Sequence, residues 1–175
     1  MNPSADRRSG RAKKPPDPRS LALGWLTRRP LSEAEIRERL AAKGFESAEV
    51  AATIAKLSEE RLIDDVALAV DFVVLRSLRL RLGKIRLLRE LERRGIAATV
   101  AERAYRQAVD AGDLDPGAVL REAVARRLKR ETRFTAAASR RVYNALLRAG
   151  FPAAELYAEL KRQQAEHGYQ EDESA

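Results

Sequence analysis

The chain has 175 residues and a formal net charge of +8, and its most frequent residues are those typical of long-helix proteins, Ala, Leu, Arg, Glu and Lys. It contains no cysteine and one histidine, which excludes disulfide frameworks, thiol nucleophiles, Cys/His zinc sites and most histidine acid–base chemistry. No apolar run is long enough for a signal peptide or a membrane span, so we expect a cytoplasmic protein. We also expect no cofactor and no metal.

The positive charge is concentrated in three segments. Residues 1–20 carry a net charge of +4, residues 76–94 carry +6 and residues 121–148 carry +7. Clustered positive charge of this size indicates a polyanionic partner. The alternative is a codon bias toward arginine, since the chain has several times more Arg than Lys.

A repeated pattern divides the chain into units. Leu, three residues, Gly and a large apolar residue recur at 40–45, 91–96 and 146–151, with spacings that suit three helices per unit. We therefore expect an all-α protein, an extended array of three tandem three-helix repeats with about nine helices. The predicted segments are a disordered basic, proline-rich tail, three repeats and a disordered acidic tail, at 1–19, 20–63, 64–114, 115–165 and 166–175.

Helix start and stop signals agree with this division. The apolar periodicity predicts leading helices at about 20–28, 65–82 and 116–132. Ser32 and Glu35 form a capping-box pattern, and Asp64 and Asp65 are expected to cap the helix that follows them. The three repeat glycines are expected to adopt left-handed conformations at the ends of the second helices; they are Gly44, Gly95 and Gly150.

The second helices of units two and three carry matched basic rows. At nine, six and two residues before the repeat glycine, unit two has Arg86, Arg89 and Arg93, and unit three has Arg141, Asn144 and Arg148. Unit one has Glu35, Glu38 and Ala42 at these positions. We expect the two basic rows to face a common partner, and the two acids to face another patch or solvent.

Further basic candidates lie on the leading helices or just after them: Arg76, Arg79, Arg81, Arg126, Arg127, Lys129 and Arg130. The alternative for all these residues is an ordinary solvated surface. The sequence does not interleave aromatic residues with the basic ones as single-strand-binding proteins do. Any DNA contact is therefore expected at backbone phosphates, weak and sensitive to salt.

The sequence resembles the RecX family, the bacterial regulators of the RecA recombinase. In the first unit the resemblance rests on Ser32, Glu35, Leu40, Lys43, Gly44 and Phe45. In the second it rests on the stretch Leu-Ile-Asp-Asp at 62–65 with Ala69, Phe72, Val73 and Arg76, and on Gly83, Arg86, Leu87, Glu90, Leu91, Arg93, Gly95 and Ile96. The third unit keeps mainly Leu146, Arg148, Gly150 and Phe151, and Leu68 replaces the Phe common in the family.

The resemblance implies a non-enzymatic array that binds along the RecA filament on DNA and limits strand exchange and repressor co-cleavage. We expect it to act as a monomer. One alternative is a helix-turn-helix transcription regulator, which would need dimerisation and base contacts from Asn144 and the arginines. Another is a carboxylate enzyme built on Asp64 and Asp65.

Overall fold

The computed structural model describes residues 17–131 and 135–167, and in these ranges all regular secondary structure is α-helical. The helices are α1 (Pro18–Leu26), α2 (Glu33–Ala41), α3 (Ser47–Glu59), α4 (Asp65–Leu80), α5 (Lys84–Arg93), α6 (Ala98–Asp110), α7 (Pro116–Leu128), α8 (Ala136–Arg148) and α9 (Ala153–His167). The expected all-α fold is confirmed.

The helices form three consecutive units: α1–α3, α4–α6 and α7–α9. The most extensive helix–helix packing lies within these units, as expected for a repeat array. The proposed disorder of both tails concerns residues that lie mostly outside the described ranges. The segment boundaries stay a prediction.

All three predicted leading helices end earlier than expected, and the first, which ends at Leu26, also begins earlier. Helix α1 begins at Pro18 because the Asp17 side chain accepts a hydrogen bond from Ser20 N. Helix α4 ends at Leu80, where Arg81 takes a left-handed conformation with φ 49°. Helix α7 ends at Leu128 instead of continuing to 132.

The repeat pattern marks equivalent core positions. Eight residues before the repeat glycines, Ile36, Leu87 and Val142 are all buried. The three repeat glycines have φ values of 85°, 75° and 91°, which place them in the left-handed region that suits glycine. Each ends the second helix of its unit and is followed by Phe45, Ile96 or Phe151.

The apolar core has two separate parts. One cluster fills unit one and includes Leu31, Leu40 and Leu57. The other runs without interruption through units two and three, from Val73 on α4 to Leu156 on α9. Units two and three therefore share a core, and unit one has its own.

Candidate anionic-partner groove

An open groove of about 590 Å³ lies between units two and three. Seven arginines line it, together with small and apolar residues, and we call it the basic groove. Unit two contributes Arg79, Leu80, Arg81, Leu82 and Arg86, and unit three contributes Ala123, Arg126, Arg127, Arg130, Ala145, Leu146, Arg148 and Ala149.

Direct backbone contact between the two units positions these arginines. Gly83 N donates to Ala149 O at 2.9 Å, and Ile85 N donates to Gly150 O at 3.0 Å. The approach is so close that a Cβ at Gly83 would overlap the Gly150 backbone. The end of α4 and the start of α5 are thereby held against the end of α8.

Most of the groove cations form no close ion pair with a carboxylate. Within the part of the chain that the structure describes, Arg79, Arg126, Arg127, Arg130 and Arg148 form no ion pair. Arg81 is paired with Glu122, and Arg86 is paired with Glu90 at 2.9 Å. Unpaired arginines that converge across a groove can donate planar, two-pronged hydrogen bonds to carboxylates or phosphates.

A second concavity continues the groove along α8. Its lining includes Arg141 and Asn144 and shares three arginines with the basic groove, Arg127, Arg130 and Arg148. Arg141 is paired with Glu131. The three row residues of unit three thus lie beside or within the basic groove.

The three arginines of the row in unit two do not all lie in the basic groove. Arg86 lines the basic groove, but Arg89 and Arg93 do not. Both are exposed on α5, where Arg93 Nε donates to Arg89 O at 3.4 Å. Partner binding by this row stays a prediction, and of its three residues the structure brings only Arg86 to the groove.

Two of the candidates near the leading helices also lie elsewhere. The Arg76 guanidinium stacks over the Phe72 ring at 5.3 Å. Lys129 is exposed at the end of α7 and is not among the groove residues.

The prediction that Glu35 belongs to a partner-facing or solvent-facing row is wrong. Its carboxylate accepts from Ser32 N at 2.9 Å and pairs with Arg94 at 2.8 Å and with Arg29 at 3.0 Å. Burial disfavours the charged form, but the hydrogen bonds from Arg94, Arg29 and Ser32 N outweigh it and lower the pKa of Glu35 to about 2. Glu38 is exposed.

The expectation that Asp65 caps α4 is also wrong. Asp64 alone caps this helix, because its side chain accepts from Val66 N and Ala67 N. Asp65 instead accepts from Glu33 N, at the start of α2, with a distance of 3.0 Å. Burial raises the pKa of Asp65. The two acids therefore stabilise two different helices.

Arg94 is a structural residue that the sequence interpretation missed. It pairs with Glu35, donates to Pro30 O at 3.0 Å and lies over the Phe72 ring at 5.8 Å. We call Arg94 with Glu35, Ser32 and Asp65 the Arg94 clamp, because these residues join units one and two. The adjacent Arg93 is equally basic, so the sequence alone contains no signal that distinguishes the two.

The described residues contain no group of three or more His, Cys, Asp or Glu side chains placed to hold a metal ion. None of the described helices is long and apolar enough to cross a membrane.

The fold and the groove define a class: an α-helical repeat protein of three units with a basic groove between the second and the third. Residues 19–57 match the family model described as RecX, first three-helix domain. The Regulatory protein RecX of Pelodictyon phaeoclathratiforme is 31% identical over 85 residues, which cover 49% of this chain and 53% of that protein. The match thus spans about half the length of this curated relative.

Two solved structures have the same fold. The crystal structure of RecX from Lactobacillus salivarius has 20% identity and a TM-score of 0.69, over 85% of this chain and 95% of that chain. A crystal structure of regulatory protein RecX has 19% identity and a TM-score of 0.69, over 83% of this chain and 71% of that chain. The chain thus has the fold of these RecX structures, and its first unit matches the RecX family model.

Proposed function

We propose that this protein is a non-enzymatic, cytoplasmic regulator that binds the RecA recombinase filament on DNA as a monomer. It would inhibit the ATPase, strand-exchange and co-protease activities of the filament, and so act on recombination and the SOS response. The basic groove is the observation that carries this proposal, because its unpaired arginines are suited to an anionic partner.

The repeat organisation of the chain also supports a filament as the partner. Hydrogen bonds at both junctions join the three units in series, and repeat arrays use their extended surfaces to follow a partner. None of the described residues that line the groove is aromatic. Since single-strand binders rely on aromatic stacking, direct contact with DNA would be confined to phosphates and would weaken as salt increases.

The test compares two double variants that remove the same charge with the same spacing. Arg126→Ala/Arg130→Ala removes two unpaired groove cations, and Arg89→Ala/Arg93→Ala removes two exposed cations outside the groove. A charge-assisted contact contributes about 1.5 to 3 kcal/mol, so the groove variant should need at least about tenfold more protein to inhibit recombinase ATPase and strand exchange. The control variant should stay within about twofold of wild type, as expected of exposed charges.

Both variants should retain the wild-type melting temperature. Inhibition by the groove variant at the wild-type concentration would contradict a role for the groove. Loss of inhibition in the control variant alone would move the contact to the outer face of α5. A wild-type protein that does not change the recombinase activities would overturn the proposed function itself.

A further inference from the structure

A strip of leucines lies beside the basic groove. Leu75, Leu78 and Leu80, in the last part of α4, are 49%, 48% and 52% exposed. Leu75 and Leu78 are three residues apart and share a face of the helix, and we call these two residues the leucine strip. Large apolar side chains clustered on a surface mark an interaction site more often than scattered ones do.

The leucine strip is continuous with the wall of the groove. Leu80 lines the groove itself, between Arg79 and Arg81. Leu75 precedes the groove residue Arg79 by four residues, so it lies one helical turn from the groove wall, and Leu78 lies beside Leu75 on α4 because the two are three residues apart. The surface therefore combines apolar side chains and cations side by side.

This combination discriminates between two kinds of anionic partner. Phosphates and sugars are polar and bury little apolar area against leucine side chains. The described residues that line the groove also include no aromatic side chain on which bases could stack. A polypeptide segment that carries both carboxylates and apolar side chains can use both parts of the surface, because arginine binds the carboxylates in pairs of hydrogen bonds and leucine buries apolar area.

We propose that the basic groove and the leucine strip together bind an acidic, amphipathic polypeptide segment of the partner protein, in preference to nucleic acid. The inference rests on the proposed function, since it assigns the groove to the protein component of the filament. Carboxylates of the segment would contact unpaired cations such as Arg79 and Arg126, and its apolar side chains would cover Leu75 and Leu78.

The test measures binding of the full chain to three fluorescent probes. The first is a 21-residue peptide that repeats the heptad Leu-Glu-Ala-Leu-Glu-Ala-Glu, the second has Ala in place of each Leu, and the third is an oligothymidine of similar length. Wild type should bind the Leu-containing peptide at least about tenfold tighter than the Ala peptide, since each leucine buries apolar area that alanine lacks.

Leu75→Ser/Leu78→Ser should remove this preference, leave oligothymidine binding unchanged and raise the concentration needed to inhibit the recombinase by about tenfold, because it removes buried apolar area and no charge. Leu62→Ser/Tyr157→Ser is the matched control, because it removes two exposed apolar side chains outside the groove. If the double variant has a lower melting temperature than wild type, a second variant, Leu78→Glu, replaces it. This variant should bind the Leu-containing peptide more weakly than wild type does, since the new carboxylate should repel the acidic peptide.

Equal affinity of wild type for the two peptides would overturn the proposal, as would full inhibition by folded Leu75→Ser/Leu78→Ser. A parallel loss of oligothymidine and peptide binding in that variant would show a nucleic-acid surface instead. If wild type prefers the Leu-containing peptide but leaves the recombinase unchanged, the surface assignment stands and the proposed function fails.

Discussion

The two junctions between the units use the same repeat positions and different chemistry. In each, the residue before the second helix of one unit contacts the residue before the repeat glycine of the next unit. At the first junction Ser32 Oγ donates to Arg94 O at 2.6 Å. At the second, Gly83 N donates to Ala149 O at 2.9 Å.

The first junction is polar, and the second is continuous with the core. The Arg94 clamp joins unit one to unit two through hydrogen bonds and an ion pair, while the apolar clusters of the two units stay separate. Units two and three share one cluster. This difference indicates that the basic groove belongs to a rigid pair of units, and that unit one can loosen without disturbing it.

The largest expected effect is at the second junction. Gly150→Ala should destabilise the protein by about 1 kcal/mol for the left-handed conformation, plus about 1 to 3 kcal/mol because the new Cβ overlaps Arg86 N and Cβ. Gly44→Ala is the matched control, because its φ is also positive but nothing lies within 4 Å of its Cβ position. It should cost about 1 kcal/mol only.

Urea unfolding of both variants measures this difference. Equal destabilisation would show that the repeat glycines act through their backbone conformation alone, and that the close approach of units two and three does not constrain the sequence.

A smaller effect is expected at the first junction, and it should be local. Arg94→Met removes the ion pair with Glu35, in which the two side chains are 20% and 18% exposed. This burial lies between that of surface pairs and core pairs, so we expect a loss of about 1 to 3 kcal/mol. Amide hydrogen exchange should become faster in α1–α3, whereas α4–α9 should keep their protection.

Arg93→Met is the control for this prediction, because Arg93 is an exposed neighbour whose side chain is 73% exposed. Uniformly faster exchange over all nine described helices in Arg94→Met would contradict a separable first unit.

The smallest effect concerns pH. The pKa of Glu35 falls from its usual 4.5 to about 2 in the folded protein, so its contribution is complete above about pH 4.5 and is lost as the pH falls toward about 2. Asp65 acts in the opposite direction, because burial raises its pKa and protonation relieves the penalty on its charged form. The melting temperature of wild type should therefore be higher than that of Glu35→Gln at pH 6, and the difference between the two melting temperatures should shrink below about pH 4.5.

Glu38→Gln controls for the general loss of a carboxylate on the same helix, since Glu38 is exposed. A constant difference between wild type and Glu35→Gln down to pH 3 would show that the Glu35 ion pair does not stabilise the first junction.

Local features were predictable from the sequence, whereas contacts between units were not. The helical repeat follows from apolar spacing and from the glycines at 44, 95 and 150, because these signals act within one hairpin. The roles of Arg94 and Asp65 depend on partners in another unit, Glu35 and Glu33. Helical periodicity says which residues share a face, and it does not say which face meets the next unit.

The same limit applies to the basic groove. The rows on α5 and α8 were defined by their position along each helix, and that register groups Arg86 with Arg89 and Arg93. The contact between Gly83 and Gly150 instead turns Arg86 toward α7 and α8. The cations that converge are therefore selected by the packing of two helical units, which a single helix cannot reveal.

The left-handed backbone at Arg81 creates a trade-off. Glycine adopts a φ of 49° freely, whereas a residue with a Cβ pays about 1 kcal/mol or more. Selection for thermal stability alone would favour glycine at this position, and the groove would then lose one of its seven cations. A substitution chosen only to make this protein more stable would thus weaken its basic groove at the end of α4.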